Sequence, residues 1–241
     1  MKKLISTLLI CTIALTTQAQ LSWQKSQKSE SRKDARHTAF RQIRQLRHGA
    51  LLVQLSAKTT TVQALRKSGD ERRAGIVVEQ QHDYNLAVVE AFRVYFDFCP
   101  VFFYFSENAR SVQEKQFGGN IFLNDSLQPD QGIQFPGSDF LIATAGSVEQ
   151  DTTKKFESYY YVQGPNGPER RTTYYASPAL GFSALILKSD QSVQLRRPFP
   201  FYARIYESLP FQKEMGMVVK KMERKLLRFY KRSMKKRNLS K

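Results

Sequence analysis

Asp97-Phe98-Cys99-Pro100-Val101-Phe102-Phe103-Tyr104-Phe105 is the most aromatic run of the chain. Its length, its bulk and its lack of charge after Asp97 predict a strand buried on both faces, the place where a core is built. Pro100 falls near the start of that strand, where a missing N–H is tolerated. The run also holds Cys99, one of only two cysteines.

Working outward toward the N-terminus, Glu71 to Phe96 reads as a long helix. Its apolar positions Val77, Tyr84, Val88, Ala91, Phe92 and Tyr95 recur at helical spacing. Thr59 to Ser68 predicts a shorter helix, and Gly69-Asp70 joins the two as a helical hairpin. Ala50 to Leu55 is a short apolar strand. Ahead of it, Ser31 to His48 carries Ala35, Ala39, Phe40, Ile43 and Leu46 at three- and four-residue steps with arginines between, and Gly49 supplies the stop.

Toward the C-terminus, Ser106 to Phe117 predicts a loop and a short helix ended by Gly118-Gly119. Ile121 to Leu123 and Phe140 to Ala145 read as strands separated by the turn-rich Asn124 to Ser138. Phe156 to Gln163 and Arg170 to Ala176 form a hairpin around Gly164-Pro165-Asn166-Gly167-Pro168, because Asn-Gly accepts the positive φ values of a tight turn. Ala184 to Lys188 and Ser192 to Arg196 predict a second hairpin over Ser189-Asp190-Gln191. The last segment is the cleanest helix. At about 100° per residue, Phe211, Met215, Val218, Val219, Met222, Leu226, Phe229 and Tyr230 fall within about 120° of arc. Lys213, Lys220, Lys221, Arg224, Arg228, Lys231 and Arg232 face away, while Met217 and Leu227 lie outside the stripe.

This alternation defines an α/β fold: one mixed β-sheet with flanking helices, late antiparallel hairpins and a basic amphipathic C-terminal helix. The order of strand, helix, strand, then hairpin and terminal helix is similar to a thioredoxin-like layout. That resemblance is one of element order. No Cys-x-x-Cys follows the first strand, so it implies no redox activity.

The first residues have the three parts of an export signal: Lys2 and Lys3, the apolar Leu4 to Leu15, and the small-residue site Thr17-Gln18-Ala19. The apolar part is shorter than the about 20 residues of a membrane span. Bulky Ile10 before Cys11 argues against a lipoprotein signal. The expected division is a signal peptide over 1–19, a polar flexible arm over 20–30, a single α/β domain over 31–232 and a basic tail over 233–241. Export to the periplasm or cell envelope would leave Cys99 alone, hence no internal disulfide. A domain of this size buries a core without one.

Charge is the strongest compositional signal, at a formal +17. Removing Lys2 and Lys3 leaves +15, of which residues 25–48 carry +6 and residues 213–241 carry +10. The middle is then close to neutral, at −1. Two basic ends on a neutral body attract polyanions. After export the partner expected is an anionic membrane surface or an envelope glycolipid, and no motif for reading nucleic acid is present. The cations expected to meet it are Lys220, Lys221, Arg224, Arg228, Lys231, Arg232, Lys235, Lys236 and Arg237. The helix bearing them has two readings: its stripe packs on the sheet, or the stripe lies in a membrane interface with the cations meeting lipid.

Catalytic chemistry finds less support. A nucleophilic cysteine needs a stabilised thiolate. Cys99 instead has Phe98, Pro100 and the carboxylate of Asp97 as neighbours, which predicts an inert core thiol. His37, His48 and His82 share no metal-ligand spacing with one another or with Cys99. His82-Asp83 resembles the His-Asp pair of metal-dependent phosphohydrolases, but the further histidines such a site needs are absent. Asp125 and Asp130 do not have the spacing of a calcium loop, and they fit turn stabilisation better. Tyr159-Tyr160-Tyr161 and Tyr174-Tyr175 offer an aromatic face for sugars or peptides, half of it turned inward by strand alternation. Gly118-Gly119 is a weak candidate for a phosphate loop, and a simple turn fits it better. No nucleophile elbow or dinucleotide fingerprint occurs, so no cofactor is expected. The sequence favours a binding or accessory protein of the envelope. The rival reading is a periplasmic hydrolase whose acid/base residues are dispersed along the chain.

Overall fold

β1 (Ala50–Leu55) is apolar at five of six positions and buried almost throughout, so it needs cover on both faces and lies inside a sheet. It pairs in parallel with β2 (Val101–Phe105) on one side and with β4 (Phe140–Ser147) on the other. β3 (Phe122–Leu123) adds antiparallel to β2, and β7 (Ser183–Lys188) then β8 (Tyr202–Arg204) add antiparallel beyond β4. The resulting six-stranded mixed sheet has the order β3-β2-β1-β4-β7-β8. The computed structural model describes residues 32–135, 137, 139–149, 156–164, 167–175, 182–206 and 211–238. The expected signal peptide and arm, the tip of the first hairpin and the chain end after Asn238 lie outside the described residues.

The aromatic run is therefore not the middle of the sheet. Only Val101–Phe105 is strand, and it is half-buried at three of its five positions. Asp97 to Pro100 turns ahead of it, and the Pro100 carbonyl accepts from Leu51 N–H at 2.9 Å. Both faces of the sheet are still covered. On one, Leu51, Val53, Phe103, Leu141, Leu185 and Leu187 meet three helices. These are α1 (32–48), α3 (Glu71–Tyr95) and α5 (Phe211–Asn238). On the other, Leu52, Tyr104, Phe140 and Ile142 meet the segment 109–135, which contains the one-turn α4 (Ala109–Gln113) and the rings of Phe117, Phe122 and Phe135.

The helices form where the sequence predicts them. α2 (Thr59–Lys67) leads through Gly69, at φ +80°, into α3, whose first turn is capped by Asp70 accepting from Arg73 N–H at 3.1 Å. Gly49 ends α1 for a packing reason: a Cβ there would sit 2.1 Å from the Asp139 carbonyl oxygen, where β4 begins beside β1. Gly216 lets α5 approach α3, since a Cβ there would sit 2.6 Å from the Tyr95 ring.

Two expectations change. The turn over Ser189 to Ser192 forms, with Ser192 N–H on the Ser189 carbonyl at 3.0 Å, but no second strand follows it. Only a bridge between Lys188 and Gln194 remains, and β8 takes the place beside β7. Pro198 and Pro200 cannot donate to a ladder, which ends pairing in that segment. The hairpin of β5 (Phe156–Gly164) and β6 (Gly167–Tyr175) forms as its own two-stranded sheet, outside the main one. In addition, α5 continues through residues 233–238, the start of the expected tail. Ser233 is only 2% exposed and its hydroxyl donates to the Tyr230 carbonyl at 2.7 Å.

Candidate functional site

The stripe of α5 is spent on the core. Met215, Val218, Val219, Met222 and Leu226 are fully or almost fully buried against the sheet and α3. Phe229 continues the stripe to α1, its ring 5.2 Å from Phe40 and 5.8 Å from Phe199. Of its two expected readings, the stripe here takes the one in which it packs on the sheet. No helix among the described residues is long and apolar enough to cross a membrane.

Bringing α1 to α5 through Phe40 and Phe229 also brings their cations together. A groove of about 770 Å³ runs between α1, the segment Arg197 to Tyr202 and α5. Its cations are Arg32 and Arg36 from α1, Arg197 from the loop, and Lys225, Arg228 and Arg232 from α5. Its floor is aromatic, formed by Phe40, Phe199, Phe201, Tyr202 and Phe229. No acidic side chain is among the described lining residues, and no ion pair among the described residues reaches any of the six cations. Arg36 lies 5.5 Å above the Phe40 ring, a cation–π distance.

Lys225 records the field this produces. Its ammonium donates to the Tyr202 carbonyl at 2.6 Å and lies 5.0 Å over the Tyr202 ring. Its pKa is lowered first by burial, then by the positive charges of Lys221 and Arg197. Burial is the larger cause, and the two cations add to it a local positive potential.

Of the cations singled out in the sequence, Arg228 and Arg232 line this groove. Lys220, Lys221, Arg224, Lys231 and Lys235 are exposed elsewhere on α5, with Lys220 over the Tyr95 ring at 5.7 Å and Lys221 over the Tyr206 ring at 5.4 Å. The side chains of Lys236 and Arg237 lie outside the described residues. Arg32, Arg36, Arg197 and Lys225 are the additions, the first two from the basic segment 25–48. The run Arg196-Arg197-Pro198-Phe199-Pro200-Phe201-Tyr202, with its basic start and alternating rings, is the signal that could have found the loop.

Not every cation of the basic N-terminal segment is free for a partner. Arg47 donates to the carbonyls of Asp97 and Phe98 and lies 5.3 Å over the Phe98 ring, so it fastens the turn before β2. This places a cation beside Cys99, contrary to the setting its sequence neighbours predict. Burial still dominates: the thiol is pushed up to about 12, with Arg47 and a backbone hydrogen bond from Leu51 pulling the other way. His48 lines the same surface cleft as Cys99, together with Asp97, yet no hydrogen bond among the described residues joins it to the thiol. His37 and His82 are exposed, on α1 and α3. Among the described residues no three His, Cys, Asp or Glu side chains gather as a metal site. Asp125 pairs with Arg93 at 2.8 Å, and Asp130 accepts from Gly132 N–H at 2.8 Å, a turn role in keeping with its spacing. The side chains of Tyr159, Tyr160, Tyr174 and Tyr175 lie outside the described residues.

Fold and groove together define an α/β protein with an open mixed sheet and a basic, aromatic-floored groove between two helices. No known protein family, no curated protein and no solved structure matches the chain.

Proposed function

We propose that the protein is an exported binding protein of the cell envelope whose groove holds the phosphate-bearing headgroup of an anionic glycolipid. The observation that carries this reading is the convergence of six cations, without acidic partners among the described residues, on an aromatic floor. Guanidinium forks match phosphate oxygens in pairs, and five of the six cations are arginines. The rings below supply flat apolar contact for the ring faces of a sugar. Burial is the first cause of the lowered Lys225 pKa, and an arriving anion would relieve the smaller part due to Lys221 and Arg197, so binding is coupled to stronger proton retention there.

The test is co-sedimentation with vesicles containing a phosphorylated glycolipid, run beside vesicles of neutral phosphatidylcholine at low and physiological salt. Retention on the anionic vesicles alone, weakening as salt rises, is the expected result. Equal partition onto both kinds, or no binding at low salt, would overturn the reading.

A further inference from the structure

We propose that a second site, independent of the basic groove, binds a neutral, hydroxyl-rich small molecule of the size of a mono- or disaccharide. It lies where the three parallel strands β2-β1-β4 reverse their order. The connection from β1 to β2 runs through α3 on one face of the sheet, and that from β2 to β4 runs through 109–135 on the other. The two leave a crevice outside the carboxyl ends of β1 and β4, the position in which open α/β sheets hold ligands.

The crevice is present here as a cleft of about 450 Å³, within the range of about 300–1,000 Å³ usual for small-molecule sites. Val88, Leu185 and Met215 give it an apolar side. Gln54 and Ser56 reach it from the end of β1, Ser106 from the end of β2 and Thr144 from β4. Gln81 reaches it from α3. Gln81 and Asn85 are polar residues on the buried side of α3, 6% and 3% exposed. Gln81 Nε2 donates to Asn85 Oδ1 at 3.0 Å, and Asn85 Nδ2 donates to the Ser56 carbonyl at 2.8 Å. That chain fixes the Gln81 amide and leaves its Oε1 without a donor among the described residues. A buried acceptor held in place beside an open cleft is suited to a ligand hydroxyl.

The charges decide the ligand class. The N-terminus of α2 opens beside this cleft, and a free helix N-terminus would favour phosphate. Here a carboxylate already stands beside it: Glu107 accepts from the Thr59 hydroxyl in that first turn, so a phosphate would meet a negative charge. Among the described lining residues Lys58 is the only charged side chain, so none of them is a carboxylate to pair with an ammonium. Amides and hydroxyls that both donate and accept match vicinal hydroxyl groups.

The experiment is saturation-transfer NMR on the full-length protein with D-glucose, N-acetyl-D-glucosamine, maltose and glucose 6-phosphate, each at about 10 mM, suited to the weak affinity of a small polar ligand. Wild type, Gln81→Met and Thr144→Val are compared, with circular dichroism confirming the fold of each. Thr144→Val is nearly isosteric and keeps the test open if Gln81→Met fails to fold. Saturation should reach the ring protons of at least one sugar, with affinity about tenfold lower in a folded variant, as expected for one lost hydrogen bond. Three outcomes overturn the proposal: no sugar saturated by the wild type, equal saturation by every folded variant, or binding of glucose 6-phosphate without binding of glucose.

Discussion

Replacing Arg36 and Arg228 together by Gln tests whether the groove, rather than the basic end of α5, meets the anionic surface. The two residues stand on opposite walls, on α1 and α5, and both helices are held by the contact of Phe40 with Phe229 at 5.2 Å. Each cation close to an anionic surface contributes about 1 kcal/mol before screening. Losing two should cost about 2 kcal/mol, or about 30-fold in affinity at low salt. At physiological salt the Debye length is about 8 Å, and the difference should shrink. The comparison is a triple change of Lys235, Lys236 and Arg237 to Gln, which removes more charge but from the end of the helix beyond the groove. Quantitative vesicle co-sedimentation reads both. The double variant should bind the weaker of the two, although it loses the smaller charge. Arg36 and Arg228 are exposed, so its thermal stability should stay within about 0.5 kcal/mol of wild type. Full binding by the double variant together with loss of binding by the triple variant would refute the assignment of the site to the groove.

Gly49→Ala should lower the urea-unfolding free energy by about 3 kcal/mol, because its Cβ meets backbone oxygen of Asp139 that cannot move aside. Gly216→Ala should stay within about 1 kcal/mol of wild type, since the obstructing Tyr95 ring is 39% exposed and able to turn, and alanine favours the helix. Cys99 should resist Ellman's reagent at pH 8 until the protein is unfolded. With its folded pKa near 12 against an ordinary 9.0, the stability it contributes is complete below about pH 9 and is lost as pH rises toward the folded value, a decline that Cys99→Ala should reduce. Lys225 has the opposite sign: its folded pKa is lowered, so the unfolded chain holds more protons just below pH 10.5, its contribution rises with pH there and offsets part of the Cys99 decline, and that decline should be steeper in Lys225→Met.

Much of this architecture was legible because it rests on local periodicity. Ala50–Leu55, the two helices joined at Gly69 and the stripe of α5 all follow from spacing alone. Centrality was not legible. The aromatic run is the most apolar by side chain, but the strand inside the sheet is set by which connection crosses which face, a relation between residues 50 and 140 that no window contains. The missing second strand after Gln191 had a local sign in Pro198 and Pro200. Gln81 and Asn85 also had one, since they fall at the same three- and four-residue steps as Tyr84, Val88 and Phe92, on the face a helix turns inward. Charge was legible as a total but not as availability. Arg93 is paired with Asp125, Arg110 with Glu114 and Lys115 with Asp190, while Arg47 is committed to carbonyls. What remains for a partner is decided by the meeting of α1, the proline loop and α5.

That meeting also constrains how any anionic surface can be held. Turning the stripe of α5 toward lipid would first require withdrawing Met215, Val218, Val219, Met222 and Leu226 from the core. Lipid would take those five side chains up again, so the lasting cost is the face left behind, where Val89, Phe92, Leu185 and Leu187 lose their cover to water at about 1.5–3 kcal/mol each, on the order of 10 kcal/mol in all. This is comparable with the whole stability of an ordinary domain of about 5–15 kcal/mol. The cations of the groove, at about 1 kcal/mol each near an anionic surface, cannot offset such a loss. On the function proposed above, the folded protein meets its partner through charge and the exposed edges of the groove rings, with the stripe left in place. Salt then separates the two modes of attachment. At about 1 M the Debye length falls to about 3 Å, and a surface held by cations should release the protein without detergent. Protein that stays with the vesicles through such a wash and comes off only with detergent would mean that apolar insertion holds it, and that α5 leaves the sheet to do so.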